Sequence, residues 1–135
     1  MRPSLKSSQP LFSSATSTWA MLLGILLLML GNGLQASLLG LRASQQGFGS
    51  SVTGVVMACF FAGFLLGSIW TPRAVYRVGY VRAFAALAAS ASVSILVHAV
   101  FLTPLIWGIM RFVTGLCYSG IFVIAESWLN ETVSN

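Results

Sequence analysis

The chain has 135 residues, 57% of them hydrophobic and only 7% charged, with a mean hydropathy of +0.90. A soluble domain carries about 25% charged residues, so this composition excludes one and predicts an integral membrane protein. The net charge of +5 is not gathered on one basic face. It lies between apolar runs, which excludes nucleic-acid binding and leaves the basic residues as topology signals.

Residues 1–18 are polar and serine-rich, with Arg2 and Lys6, and predict a short disordered tail. One transmembrane helical domain, 19–135, is expected to follow, with spans over 19–41, 52–71, 83–103 and 105–128. The first span carries no charge and is too long for a signal-peptide core. Within it, Gly31-Asn32-Gly33 and Gln35 stand out. The glycines predict close helix contact, and the two amides are unusual at this depth. Residues 42–50 form an expected polar hairpin. The second span holds small residues every fourth place: Gly54, Ala58 and Ala62 on one stripe, and Cys59, Gly63 and Gly67 on its neighbour. Such stripes let membrane helices approach closely.

Residues 72–82 predict a basic loop with Arg73, Arg77 and Arg82. The third span ends near His98, a lone histidine expected to be packed or interfacial. Pro104 suits the first position of a helix and opens the fourth span. Cys59 and Cys117 fall inside spans, where packing is the expected role. The Asn130-Glu131-Thr132 sequon falls on the predicted cytoplasmic side and is discounted. Arg2, Lys6, Arg73, Arg77 and Arg82 share one side of a four-span arrangement, against Arg42 on the other. The positive-inside rule then places both termini in the cytoplasm.

The fourth span carries Arg111. A charge at membrane depth costs roughly 2.5–3.5 kcal/mol on insertion scales, so such a residue is a functional-site candidate. At 1.5 Å rise per residue, Asn32, Gln35 and Arg111 fall in one layer, within about 8 Å outward of the span middles. Tyr118 follows two turns deeper on the face of Arg111, with Gly115 leaving room between them. Glu126 lies about 22 Å from Arg111 along the helix. It serves as an interfacial anchor beside Trp128 or as a gate. No nucleophile, metal cluster or paired carboxylates suggest an enzyme, and no cofactor is expected.

Three features resemble the major facilitator superfamily of transporters. Arg111-x-x-x-Gly115 is similar to its fourth-helix motif. The run Arg77-Val78-Gly79-Tyr80-Val81-Arg82 is similar to its cytoplasmic loop motif. There Arg77 and Gly79 carry the likeness, while Pro72 and Tyr76 stand in the Gly and acid places. Gly31-Asn32-Gly33-Leu34, taken with Glu126-Ser127-Trp128-Leu129-Asn130, resembles the YcaD-like branch of that superfamily.

The resemblance implies an all-α membrane protein comprising the first four transmembrane helices of a twelve-helix fold built from inverted three-helix repeats. This would be an N-terminal fragment whose closed bundle needs further helices or self-association. It implies secondary active transport of a small solute, with proton coupling, in a bacterial inner membrane. Asn32, Gln35, Arg111 and Tyr118 would line the substrate or proton pathway. Arg77, Gly79, Arg82 and Glu126 would form the cytoplasmic gate or loop, and Gly63, Gly67 and Gly115 would pack helices. Membrane lipid is the other expected partner. Two rivals remain at this level: a non-transporting membrane subunit or scaffold, and a small four-helix dimeric exporter. The exporters place a carboxylate in the first helix, which this chain lacks.

Overall fold

The computed structural model describes residues 10–133 as four α-helices. These are α1 (Pro10–Gln45), α2 (Ser50–Val78), α3 (Tyr80–Val100) and α4 (Pro104–Val133). Each contains a stretch long and apolar enough to cross a membrane: Leu22–Gln45, Ser50–Val78, Tyr80–Val100 and Pro104–Asn130. Leucines line the outer face of α1, including Leu22, Leu26, Leu30 and Leu34, all exposed. An apolar face uncovered by protein is suited to lipid. The chain is therefore an all-helical integral membrane protein.

Two boundaries differ from the sequence expectation. Pro10–Thr18, expected within the tail, belong to α1, while residues 1–9 lie outside the described residues. The basic loop expected over 72–82 is a single residue, Gly79. Pro72 sits inside α2. It forfeits one backbone bond, to the carbonyl four residues earlier, but apolar residues on both sides carry the helix through it. Gly79 turns the chain with φ +86° and ψ 159°, a conformation open essentially to glycine alone. Its N–H donates to the Val75 carbonyl at 2.8 Å.

At the other end, α1 closes in a Schellman motif. Gly47 has φ +72°. The Gly47 N–H donates to Ser44 O at 3.1 Å, and the Phe48 N–H donates to Ala43 O at 2.9 Å. The turn delivers Phe48 against Trp107, ring centroids 5.5 Å apart and edge to face. Pro104 opens α4 as expected. Trp107 is fully buried, and its indole N–H donates to Phe101 O at 2.6 Å.

Helix α4 is the centre of the bundle. Its broadest interface is with α2 and its next with α3, whereas α1 lies against it along a narrow seam. The α2–α4 interface is backbone against backbone. A methyl group on Gly63 would overlap the Phe112 carbonyl, and one on Gly115 would overlap that of Phe60. One on Gly67 would come within 2.6 Å of the Leu116 carbonyl oxygen. The stripe of Gly63 and Gly67 is thus the packed one. Gly54, Ala58 and Ala62 are exposed. A Cβ on Gly31 or Gly33 would meet open space, so the expected close contact at those glycines does not occur.

Candidate functional site

The site is built on the α1–α4 seam. Along α1, Leu28, Asn32, Gln35 and Leu39 recur at helical spacing and share one face. Leu39 shares a buried cluster with Trp107. Leu28 packs on the cluster of Ala91, Cys117 and Tyr118. The two helices are antiparallel, and the same number of residues separates Leu28 from Leu39 as Trp107 from Tyr118. Between these two anchors Gln35 is level with Arg111, and Asn32 with Thr114, to within about one residue or 1.5 Å. The layer expected from depth alone therefore exists.

Arg111 is only 2% exposed. Its guanidinium carbon lies 5.7 Å from the centroid of the Phe60 ring. Its Nε and one Nη meet no hydrogen-bond partner among the described residues. The same is true of Asn32 Oδ1 and both amide atoms of Gln35. Orphaned buried polar atoms are rare in folded proteins and call for an explanation. Here they belong to residues of α1 and α4 at about the same level along the helices. No acid is near enough to neutralise the arginine. The chain has two acidic residues, Glu126 and Glu131, both close to the far end of α4. Glu126 is exposed there, about 22 Å along the helix from Arg111.

Tyr118 is buried, its ring 6.4 Å from that of Phe60. Phe60 therefore links Arg111 and Tyr118. Gly115 leaves no room between them, contrary to expectation, because the α2 backbone at Phe60 occupies that space. Arg77 and Arg82 are exposed on either side of Gly79 and stand apart from the seam, at the Glu126 end of the bundle. Thr114, fully buried, donates to Met110 O at 2.5 Å and satisfies itself within its own helix.

Sequence reasoning missed Phe60, whose one signal was the aromatic run of Phe60, Phe61 and Phe64. It also missed Gly120, where an added Cβ would come within 2.8 Å of Thr71 Oγ1 and 2.5 Å of Leu87. Two grooves flank the seam. One, of about 310 Å³, is lined by Gly24, Leu28, Phe84, Ile121 and Trp128 among others. The second, of about 580 Å³, holds Gln35, Arg42, Gln45 and His98 among leucines. A third groove, of about 660 Å³ between α2 and α4, is apolar apart from Ser51 and Cys59. Compared with protein families, curated proteins and solved structures, the chain matches none.

Proposed function

We propose that the chain is the N-terminal part of a secondary transporter of the major facilitator type, working by alternating access. The observation that carries this reading is the buried, acid-free Arg111, level with the orphaned amide of Gln35. A charge kept inside a membrane bundle at such a cost marks a substrate or ion pathway. Arg111 holds an anionic group of the solute, and Gln35 and Asn32 supply hydrogen bonds. Helices α1 and α4, first members of successive three-helix repeats, form one wall of a midplane cavity. Further helices, or a second copy, close the other wall and cover α1. The Gly79 turn faces the cytoplasm of a bacterial cell, and Arg42 the outside, by the distribution of basic residues.

The test is solute flux in cells expressing the complete gene product. Arg111→Ala abolishes uptake or efflux while the protein still inserts in the membrane. Undiminished flux refutes the assignment.

A second reading has one observation in its favour. The exposed stripe of Gly54, Ala58 and Ala62 is a surface for another helix, as a non-transporting subunit would carry. Copurification with one fixed partner, and transport that survives loss of this chain, would favour it.

A further inference from the structure

Leu66, Trp70, Arg73 and Arg77 recur three and four places apart along α2, a spacing that puts them on one helix face. All four are exposed, Leu66 by 44% and Trp70 by 64%, so the bundle leaves this stripe uncovered. Its depth follows from the packing. Helices α2 and α4 run the same way, Gly63 against Phe112 and Gly67 against Leu116, which brings Trp128 level with the Gly79 turn to within about 3 Å. Trp19 lies nine residues along α1 from Leu28, which packs beside Tyr118, and reaches the same level. Tryptophans collect at the water–lipid boundary. Counted from that boundary, Arg77 stands about 3 Å and Arg73 about 9 Å toward the apolar side, with Trp70 and Leu66 about 13 Å and 19 Å in. The arginines are thus at the level where headgroups give way to chains, and the apolar pair is at chain depth.

We propose that this face of α2 binds one anionic phospholipid of the leaflet on the Gly79 side. Arg73 and Arg77 hold its phosphate, and one acyl chain runs down the helix over Trp70 and Leu66. Two cations one turn apart on a helix repel each other, and among the described residues no carboxylate pairs with either. An anion between them removes that repulsion. Arg73 donates from Nη1 to the Ile69 carbonyl at 2.9 Å. A guanidinium has five N–H donors, so the bond steadies the side chain and leaves four for a phosphate. Tyr76, 93% exposed, falls between the two arginines in sequence and adds a hydroxyl at headgroup depth. The continuation of the stripe into Trp70 and Leu66 selects the occupant. An acidic peptide or a free anion would match the arginines alone, whereas a phospholipid matches charge and apolar strip together. The site rests on charge and depth and is independent of the transport reading.

The test is native mass spectrometry of the chain in mild detergent, titrated with phosphatidylglycerol or phosphatidylcholine of the same chains. The chain should retain phosphatidylglycerol in preference, as a single copy. Arg73→Gln and Arg77→Gln should each weaken that binding about fivefold, and the double variant about twentyfold. Phosphatidylcholine binding should not change. Arg42→Gln, at the other end of the bundle, should stay within about twofold of wild type. A second arm reads the chain path without changing either arginine. With Trp19 and Trp128 replaced by Phe, Trp70 is the one exposed tryptophan, since Trp107 is wholly buried. In phosphatidylcholine vesicles, phosphatidylglycerol brominated on its chains should then quench fluorescence more strongly than equally brominated phosphatidylcholine at the same mole fraction. Equal quenching by the two lipids, or phosphatidylglycerol retained as well by the double variant as by wild type, would overturn the proposal and leave the arginines to an acidic protein segment. Displacement of the lipid by an equal concentration of inorganic phosphate would also overturn it, in favour of a free anion. Neither arm uses a flux assay, so the lipid site and the transport reading stand or fall separately.

Discussion

Arg111 lies over the ring of Phe60, guanidinium carbon to ring centroid 5.7 Å. In a bundle with no acid at this level, the aromatic face is one counterweight to the cation. The pairing crosses the α2–α4 interface, where Gly115 brings the Phe60 backbone against α4. A cation over a desolvated ring is stabilised by up to about 2 kcal/mol. The first prediction is a double-mutant cycle of Phe60→Leu with Arg111→Met, measured by unfolding in mild detergent. It should return a coupling of about 1–2 kcal/mol. A coupling near zero would mean that the ring only fills space.

The α2–α4 glycines give the second prediction. Alanine at Gly63 or Gly115 places a methyl group inside the facing backbone, which no rotamer change relieves. The helices must separate, at a cost of about 1–3 kcal/mol or more. Gly54→Ala, facing open space, stays within about 0.5 kcal/mol of wild type. Thermal unfolding of the three variants in one detergent separates the packed stripe from the free one. Equal losses at Gly54 and Gly63 would contradict the assignment of the interface.

The turn between α2 and α3 rests on one residue. Gly79 holds a positive φ that side-chain-bearing residues avoid, and Gly79→Ala should cost about 1–3 kcal/mol. The strain acts at the cytoplasmic hinge of the proposed transporter, so in the complete protein flux should fall while the affinity for solute is retained. Stability unchanged from wild type would mean that the backbone relaxes to a different turn.

The two levels of the site were legible in the sequence to different degrees. The number of spans follows from hydropathy, because each run is long, apolar and nearly free of charge. The shared layer of Gln35 and Arg111 follows from helix rise, because depth in a membrane is fixed by counting residues. What counting does not give is rotation about the helix axis. Gly115 was read as leaving space beside Arg111, but it faces α2, whose backbone fills that space. The stripes 54/58/62 and 59/63/67 are equivalent as patterns, and only packing against α4 distinguishes them. Phe60 meets Arg111 through tertiary contact between distant segments, which no local pattern records. Pro72 was read as ending a helix that continues to Val78, because flanking apolar residues outweigh one lost backbone bond.

The corner at Trp107 supports the fourth prediction. Its indole N–H donates to Phe101 O, its ring meets Phe48 and His98, and it is wholly buried. Trp107→Phe keeps an aromatic ring but removes the donor and leaves the Phe101 carbonyl unpaired. A net loss of about 1–3 kcal/mol is expected on unfolding. An unchanged unfolding curve would show that water replaces the indole at no cost.

The last prediction concerns sidedness, on which the transport reading depends. Arg42 stands at one end of the bundle, and Arg73, Arg77 and Arg82 cluster at the other. Basic residues in short loops favour the cytoplasmic side, so the Gly47 turn should face out and the Gly79 turn in. Both native cysteines are within apolar spans, Cys117 buried and Cys59 half-buried, which gives a low background for thiol labelling. In intact cells a membrane-impermeant maleimide should label Gly49→Cys, beside the outer turn, and not Val78→Cys, beside the inner one. Opening the cells should expose the second. Replacing Arg73, Arg77 and Arg82 by Gln leaves Arg2 and Lys6 against Arg42, so the bias weakens and the labelling should shift toward mixed. Reversed labelling in the wild-type background would place Gln35, His98 and the wide groove on the cytoplasmic half.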